Sequence, residues 1–205
     1  MANHVYFTIT SSDDFNFLGD SPLIETEQRT VANWNGEGTT ETTFIKELEE
    51  QPFMASIEPK YTDESSYDWY TSNVGAKWCA LEEVDEYSLY GYSAWGEPAE
   101  MFEHLARAVA DKYQSDVSLT MTYEDEFRNF FGHDTITVSD AEVDYDQCQI
   151  DGDQLTAKIE ERAGCEIDDD FWDKMHTDAD GEEFDGQEYA DDLVYEFFQT
   201  GEWYD

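Results

Sequence analysis

The sequence predicts an α+β protein, an antiparallel sheet with helices on one face. Three observations lead there. Stretches near residues 5, 90 and 120 alternate between apolar and polar positions. One strongly periodic helix sits among them, and 16% of the residues are aromatic. Alternation by two marks a strand with one buried face, and a repeat of three and four marks a helix lying on it. A length of 205 residues suits one large domain, or a domain with an extension.

Taken in order, His4 to Thr10 places Val5, Phe7 and Ile9 on one face of a first strand. Ser11 to Asp20 reads as a polar turn region. Pro22 to Gly38 is irregular, with a turn at Trp34-Asn35-Gly36. Thr43 to Glu50 reads as a short helix bearing Phe44, Ile45 and Leu48, stopped by Pro52. Residues 53–68 read as a mixed loop. Trp69 to Leu81 and Tyr87 to Trp95 read as two strands about the acidic turn 82–86. Pro98 opens a helix, where its missing N–H costs nothing. Phe102, Leu105, Ala106, Val109, Ala110 and Tyr113 form its stripe, and His104, off that stripe, is expected in solvent. Val117, Leu119, Met121 and Tyr123 alternate as a further strand, and Thr135 to Tyr145 reads as another. Gln154 to Gly164 is a helix with Gly164 as its cap. Asp168-Asp169-Asp170 stands where a helix start at Phe171 would favour acids. Glu188 to Thr200 is a last helix with a wide apolar face.

Four short blocks carry a resemblance. They are Asn73, Gly75, Lys77 and Trp78; Ser93, Ala94, Trp95 and Pro98; Tyr123 and Glu124; and Phe130 and Gly132. Together they resemble the YubB-type ferredoxin-like domain family of phage and plasmid proteins, over about a third of the chain. Val74 departs from the pattern, which has Trp there. The resemblance implies a ferredoxin-like fold, expected over residues 1–146; residues 147–205, acidic but with aromatic anchors, read as a helical extension packed on it. It also implies a phage or plasmid setting, but no activity.

Charge is the anomaly. The chain has 51 acidic and 10 basic residues, a net of −41. From Asp140 onward there are 24 acids and only Lys158, Arg162 and Lys174 against them. Self-repulsion of that size costs stability and asks for a reason. Mimicry of nucleic-acid phosphates, adaptation to salt and plain solubility are the three available. Direct binding of DNA or RNA is not expected, because so few cations are present to displace counterions.

Asp140, Glu142, Asp144 and Asp146 occupy alternate positions with Ala141, Val143 and Tyr145 between them. On a strand they would stand about 6.6 Å apart, near the roughly 6–7 Å between successive phosphates on one DNA strand. A solvated edge strand protected by charge would show the same alternation. The acids Asp168, Asp169, Asp170, Asp178, Asp180, Glu182, Glu183, Asp185, Asp191 and Asp192 extend the candidate partner-binding surface. The expected partner is a basic nucleic-acid-binding protein, a nuclease or host defence complex in the host cytoplasm. An anti-restriction or anti-CRISPR role fits the setting that the resemblance implies. A homodimer would lengthen the charged surface. The alternative is an acidic or halophilic globular protein without mimicry.

Other chemistry is weakly signalled. His176 to Gly181 resembles a calcium loop, but His176 replaces its first acid and Gln187 its bidentate Glu. Cys79, Cys148 and Cys165 lack CxxC spacing and read as reduced thiols. No phosphate loop or nucleophile elbow is present. Neither catalytic residues nor metal ligands nor a cofactor is expected. Lys77 reads as an ion pair or as a stem on Trp78; Trp69, Trp78 and Trp95 read as packing. No apolar run has the length of a membrane span.

Overall fold

A computed structural model describes residues 3–11, 15–55, 66–164, 166–167, 171–173, 175–177 and 183–203. Its main sheet has six strands, every pairing antiparallel. The strands are β1 (His4–Ser11), β4 (Cys79–Val84), β5 (Ser88–Ala94), β6 (Val117–Asp125), β7 (Phe130–Ser139) and β8 (Glu142–Asp151), in the order β4-β5-β1-β6-β7-β8. Helix α1 (Ser66–Asn73) lies on the connection from β1 to β4, and α2 (Ala99–Tyr113) joins β5 to β6.

The alternation expected of β1 and β6 is present. Val5, Phe7 and Ile9 are buried, as are Val117, Leu119, Met121 and Tyr123. They meet α2 through Met101, Phe102, Leu105, Ala106 and Val109, all fully buried. Each large side chain in that stripe contributes about 1.5–3 kcal/mol by leaving water. Gln114, with φ 51°, ends α2 in the left-handed region. His104 is half-buried rather than solvated, and burial lowers its pKa.

Three expected elements differ. Residues 66–73 form helix α1, where the sequence reads the end of a loop and, from Trp69, the start of a strand. Asp68 sits in its first turn, and the side chains of Thr71 and Asn73 bond back to Tyr67 and Trp69 carbonyls. Trp69 is buried beneath it. The run 43–50 is not a helix: β3 (Thr39–Ile45) takes its first three residues, and a 3-10 turn follows at Leu48–Glu50. Threonines at 39, 40, 42 and 43 favour strand through their branched Cβ. The stretch 135–145 is two strands, not one. Asp140 and Ala141 both have positive φ, 50° and 66°, and turn β7 back into β8. Such turns match the twist of the strands they join.

β3 pairs only with β2 (Thr26–Ala32), in a hairpin separate from the main sheet. Most side chains of this arm are exposed, and Trp34 at its tip is 99% exposed. Asn33 braces the tip by donating to the Glu37 carbonyl and accepting from Thr40. At the arm's base the buried Gln51 side chain accepts from Glu25 N and donates to the carbonyls of Glu25 and Lys46.

The C-terminal third adds a second core on the sheet's other side. Phe131 and Ile150 face α3 (Gly152–Ala163) and α4 (Gly186–Thr200), where Leu155, Ile159, Leu193, Val194 and Phe197 are buried. Helices therefore lie on both faces, not one. Asp151 and Gln154 form a capping box at α3, Gly164 closes it with φ 68°, and Asp185 caps α4. Arg162 makes a bidentate pair with Glu196, at 2.8 and 2.9 Å, tying α3 to α4. A short pairing of β9 (Met175–Thr177) with β10 (Glu183–Asp185) precedes α4. The expected boundary between residues 146 and 147 falls inside β8.

Candidate functional site: the open sheet face and its acidic edge

Because successive residues of a strand point to opposite sides, the positions between the core residues define a second sheet face. The register places them in rows. Tyr92, Tyr6, Glu124 and Phe131 lie across one row; Tyr90, Thr8, Thr122, His133 and Cys148 across the next; Ser88, Thr10, Thr120, Thr135 and Asp146 across the third. Ser118, Thr137 and Asp144 follow, then Ser139 opposite Glu142. Helix α4 covers the margin at Phe131 and Ile150, and Tyr195, Phe198 and Gln199 overhang Thr8, Thr10, Thr120 and Thr122. Beyond α4 the face is an array of hydroxyls, bounded by carboxylates on one side and tyrosines on the other.

The carboxylates belong to β8, the last strand of the sheet. Glu142, Asp144 and Asp146 are exposed on the open face, while Val143 and Tyr145 pack against the first core. Of the row expected from the sequence, these three stand in line. Asp140 does not: it sits in the turn, with its backbone reversed. Asp185 is used as the cap of α4, accepting from Gln187 N and Glu188 N. Asp191 pairs with Arg128 and accepts from Gln187. Glu183 and Asp192 are exposed. Asp168, Asp169, Asp170, Asp178, Asp180 and Glu182 lie outside the described residues.

What the described cations do sharpens the picture. Arg29, Lys46, Arg107, Arg128, Lys158 and Arg162 each lie against a carboxylate of the same chain. The Lys77 ammonium stands 4.0 Å over the Trp95 ring, not on Trp78, and Lys112 stands 4.9 Å over Tyr113. Trp95 is 56% exposed, so it is not core. Every described lysine and arginine is thus engaged within the chain, and neutralisation of Glu142, Asp144 and Asp146 is left to solvent ions or a partner.

A second set of groups, missed in the sequence, lies under the sheet. Asp134 is fully buried and accepts from Tyr145 Oη at 2.9 Å, from Cys148 N at 3.3 Å and from Tyr123 Oη at 3.4 Å. Burial raises its pKa above the ordinary carboxylate value. Burial also raises Glu97, with a further contribution from the Asp134 charge. Perturbed carboxyls occur at functional sites and in structural networks alike, and here the buried carboxylate is tied up by protein donors. It fastens β6, β7 and β8 to one another. The signal was the odd polar residue in the alternating run of β7.

Cys79 is buried and its thiol is pushed far up by burial. Cys148 is half-buried with its Sγ 3.5 Å from the Gly201 carbonyl; Cys165 lies outside the described residues. Among the described residues, no three His, Cys, Asp or Glu side chains are grouped to hold a metal, and no helix is long and apolar enough to cross a membrane. No family model matches the chain, and neither a curated protein nor a solved structure matches it.

Proposed function

We propose that this protein is an acidic DNA mimic of phage or plasmid origin. It occupies the nucleic-acid-binding groove of a basic host protein, of the anti-restriction or anti-CRISPR type. The observation that carries the reading is the row Glu142, Asp144 and Asp146, standing exposed on an edge strand of a chain whose described cations are all engaged internally. Alternate residues on a strand are about 6.6 Å apart, a spacing that suits cations arranged to grip phosphates. A net charge of −41 steers a cationic partner in from a distance, and such association weakens with salt. The scaffold reading is ferredoxin-like and YubB-type. What supports it is the order β4-β5-β1-β6 with α1 and α2 on its two crossovers, a βαββαβ arrangement. Strands β7 and β8 and the helices after them then form an acidic extension of that unit.

The test is affinity capture from bacterial lysate at low and high salt, followed by competition with duplex DNA. One nucleic-acid-binding protein retained at low salt and displaced by DNA is the expected result. Glu142→Lys, Asp144→Lys and Asp146→Lys together should then abolish capture. Close charge pairs across interfaces couple by about 1.5–7 kcal/mol each, so a loss of at least about 100-fold in affinity is expected. Glu37→Lys with Glu41→Lys, on the separate arm, changes net charge while leaving the row intact and should weaken binding far less. Retention of scattered basic proteins, indifferent to DNA, would instead make the charge a matter of solubility or salt adaptation.

A further inference from the structure

The open face holds a groove of about 330 Å³ whose lining includes Tyr6, Thr8, Tyr90, Thr122, Glu124 and Phe198. Its chemistry is unusual for this surface. Thr8 and Thr122 are paired across β1 and β6, Tyr6 stands two residues before Thr8 on β1, Tyr90 faces Thr8 from β5, Phe198 overhangs from α4, and Glu124 stands opposite Tyr6. We propose that this groove is a cation pocket that takes an arginine or lysine side chain of the protein's basic partner. The proposal rests on the partner reading above and adds the kind of group that is gripped.

Three observations carry it. Aromatic faces attract cations through their negative π-clouds, and more strongly where water is thinned. The same chain shows that chemistry at work elsewhere, with Lys77 4.0 Å over the Trp95 ring. Here the rings line a groove with no lysine or arginine among its lining residues. Finally, the local field is negative. The Tyr90 pKa is raised first by burial and then by the charges of Glu82, Tyr6, Glu83 and Glu124. Arg128 touches Glu124 at 3.4 Å but is also drawn to Asp191, so one cation is shared between two carboxylates there. A flat guanidinium or an ammonium on a long stem meets all three demands: ring contact, a carboxylate at the end, and hydroxyls along the floor.

The experiment titrates isolated, tyrosine-labelled protein with N-acetyl-arginine amide and, separately, with N-acetyl-citrulline amide, its uncharged isostere. Ring resonances are followed by NMR. The arginine derivative should shift Tyr6 and Tyr90, and citrulline should bind about fivefold more weakly or less. Glu124→Gln, which keeps every ring, should weaken the arginine response. Tyr6→Leu with Tyr90→Leu should remove it at unchanged net charge. Glu142→Lys, Asp144→Lys and Asp146→Lys should leave it in place. Equal responses to arginine and citrulline, or arginine shifts that avoid both tyrosines, overturn the proposal. If the tyrosine pair fails to fold, the citrulline comparison and Glu124→Gln still decide. No partner is present in these titrations. A failed pocket therefore leaves the mimicry reading standing, and failed DNA competition leaves the pocket.

Discussion

Asp134 is a carboxylate that the fold removes from water altogether. Its pKa is raised, chiefly by burial, so ionised Asp134 costs the native state more than the unfolded one. The sign follows from linkage. Above the raised native pKa the whole cost is present. It is relieved as pH falls through that value toward the unfolded value near 3.8, below which both states are protonated. Asp134→Asn should therefore raise the urea midpoint at pH 7.5 and flatten its rise on acidification, relative to the parent protein. Equal pH dependence in both proteins would refute this. Gly132 is held by a neighbour of the same cluster. A Cβ there would come within 2.2 Å of the Tyr123 ring. Overpacking of this kind costs about 1–3 kcal/mol, so Gly132→Ala should lower the urea midpoint accordingly. The sequence offered Tyr123 and Gly132 as parts of a motif. Only the pairing Tyr123↔Gly132 across β6 and β7 shows why they belong together.

At the scale of elements, the turn joining β7 to β8 is the weak joint of the acidic edge. Asp140 and Ala141 both occupy the left-handed region, which costs an L-residue such as Ala141 about 1–2 kcal/mol relative to glycine. Ala141→Gly should stabilise the protein by about 1 kcal/mol in urea denaturation, with the carboxylate row unchanged. Loss of stability would mean that the Ala141 side chain packs in a way its exposure does not suggest. This joint also explains what the sequence concealed. Asp-Ala lacks the Gly or Asn that announces such turns, so one strand was expected where two exist. Helix α1 was concealed for a different reason. Its eight residues are barely amphipathic, and the apolar Trp69 and Trp78 on either side of its end imitate a single strand. Helix α2 was legible because its buried residues recur at helical spacing from Met101 to Val109 and need no distant partner to be seen. The carboxylate row was legible at Glu142, Asp144 and Asp146, since alternation is local. The tyrosine groove was not, because it is assembled from β1, β5, β6 and α4.

For the whole molecule, the governing quantity is a charge of −41 on 205 residues. Exposed charges a Debye length apart are screened by salt, and that length is about 30 Å at 0.01 M but about 8 Å at 0.15 M. Self-repulsion should therefore relax as salt is added. The thermal midpoint is expected to climb between 0.01 and 0.5 M sodium chloride, while capture of a basic partner falls over the same range. A midpoint indifferent to salt would imply that native and unfolded chains carry their repulsion equally.

The β2–β3 arm gives this charge an optical consequence. Trp34 stands at the tip, 99% exposed, while Trp69 is sealed in the core at 1%. A collisional quencher can reach the first indole freely and the second not at all. The molecule thus carries its own sensor of the ion atmosphere around it. At low salt, caesium, drawn toward the negative surface, should dim the red-shifted emission of Trp34 much more than iodide, which is pushed away. The two quenching curves should converge as added salt shortens the reach of the field.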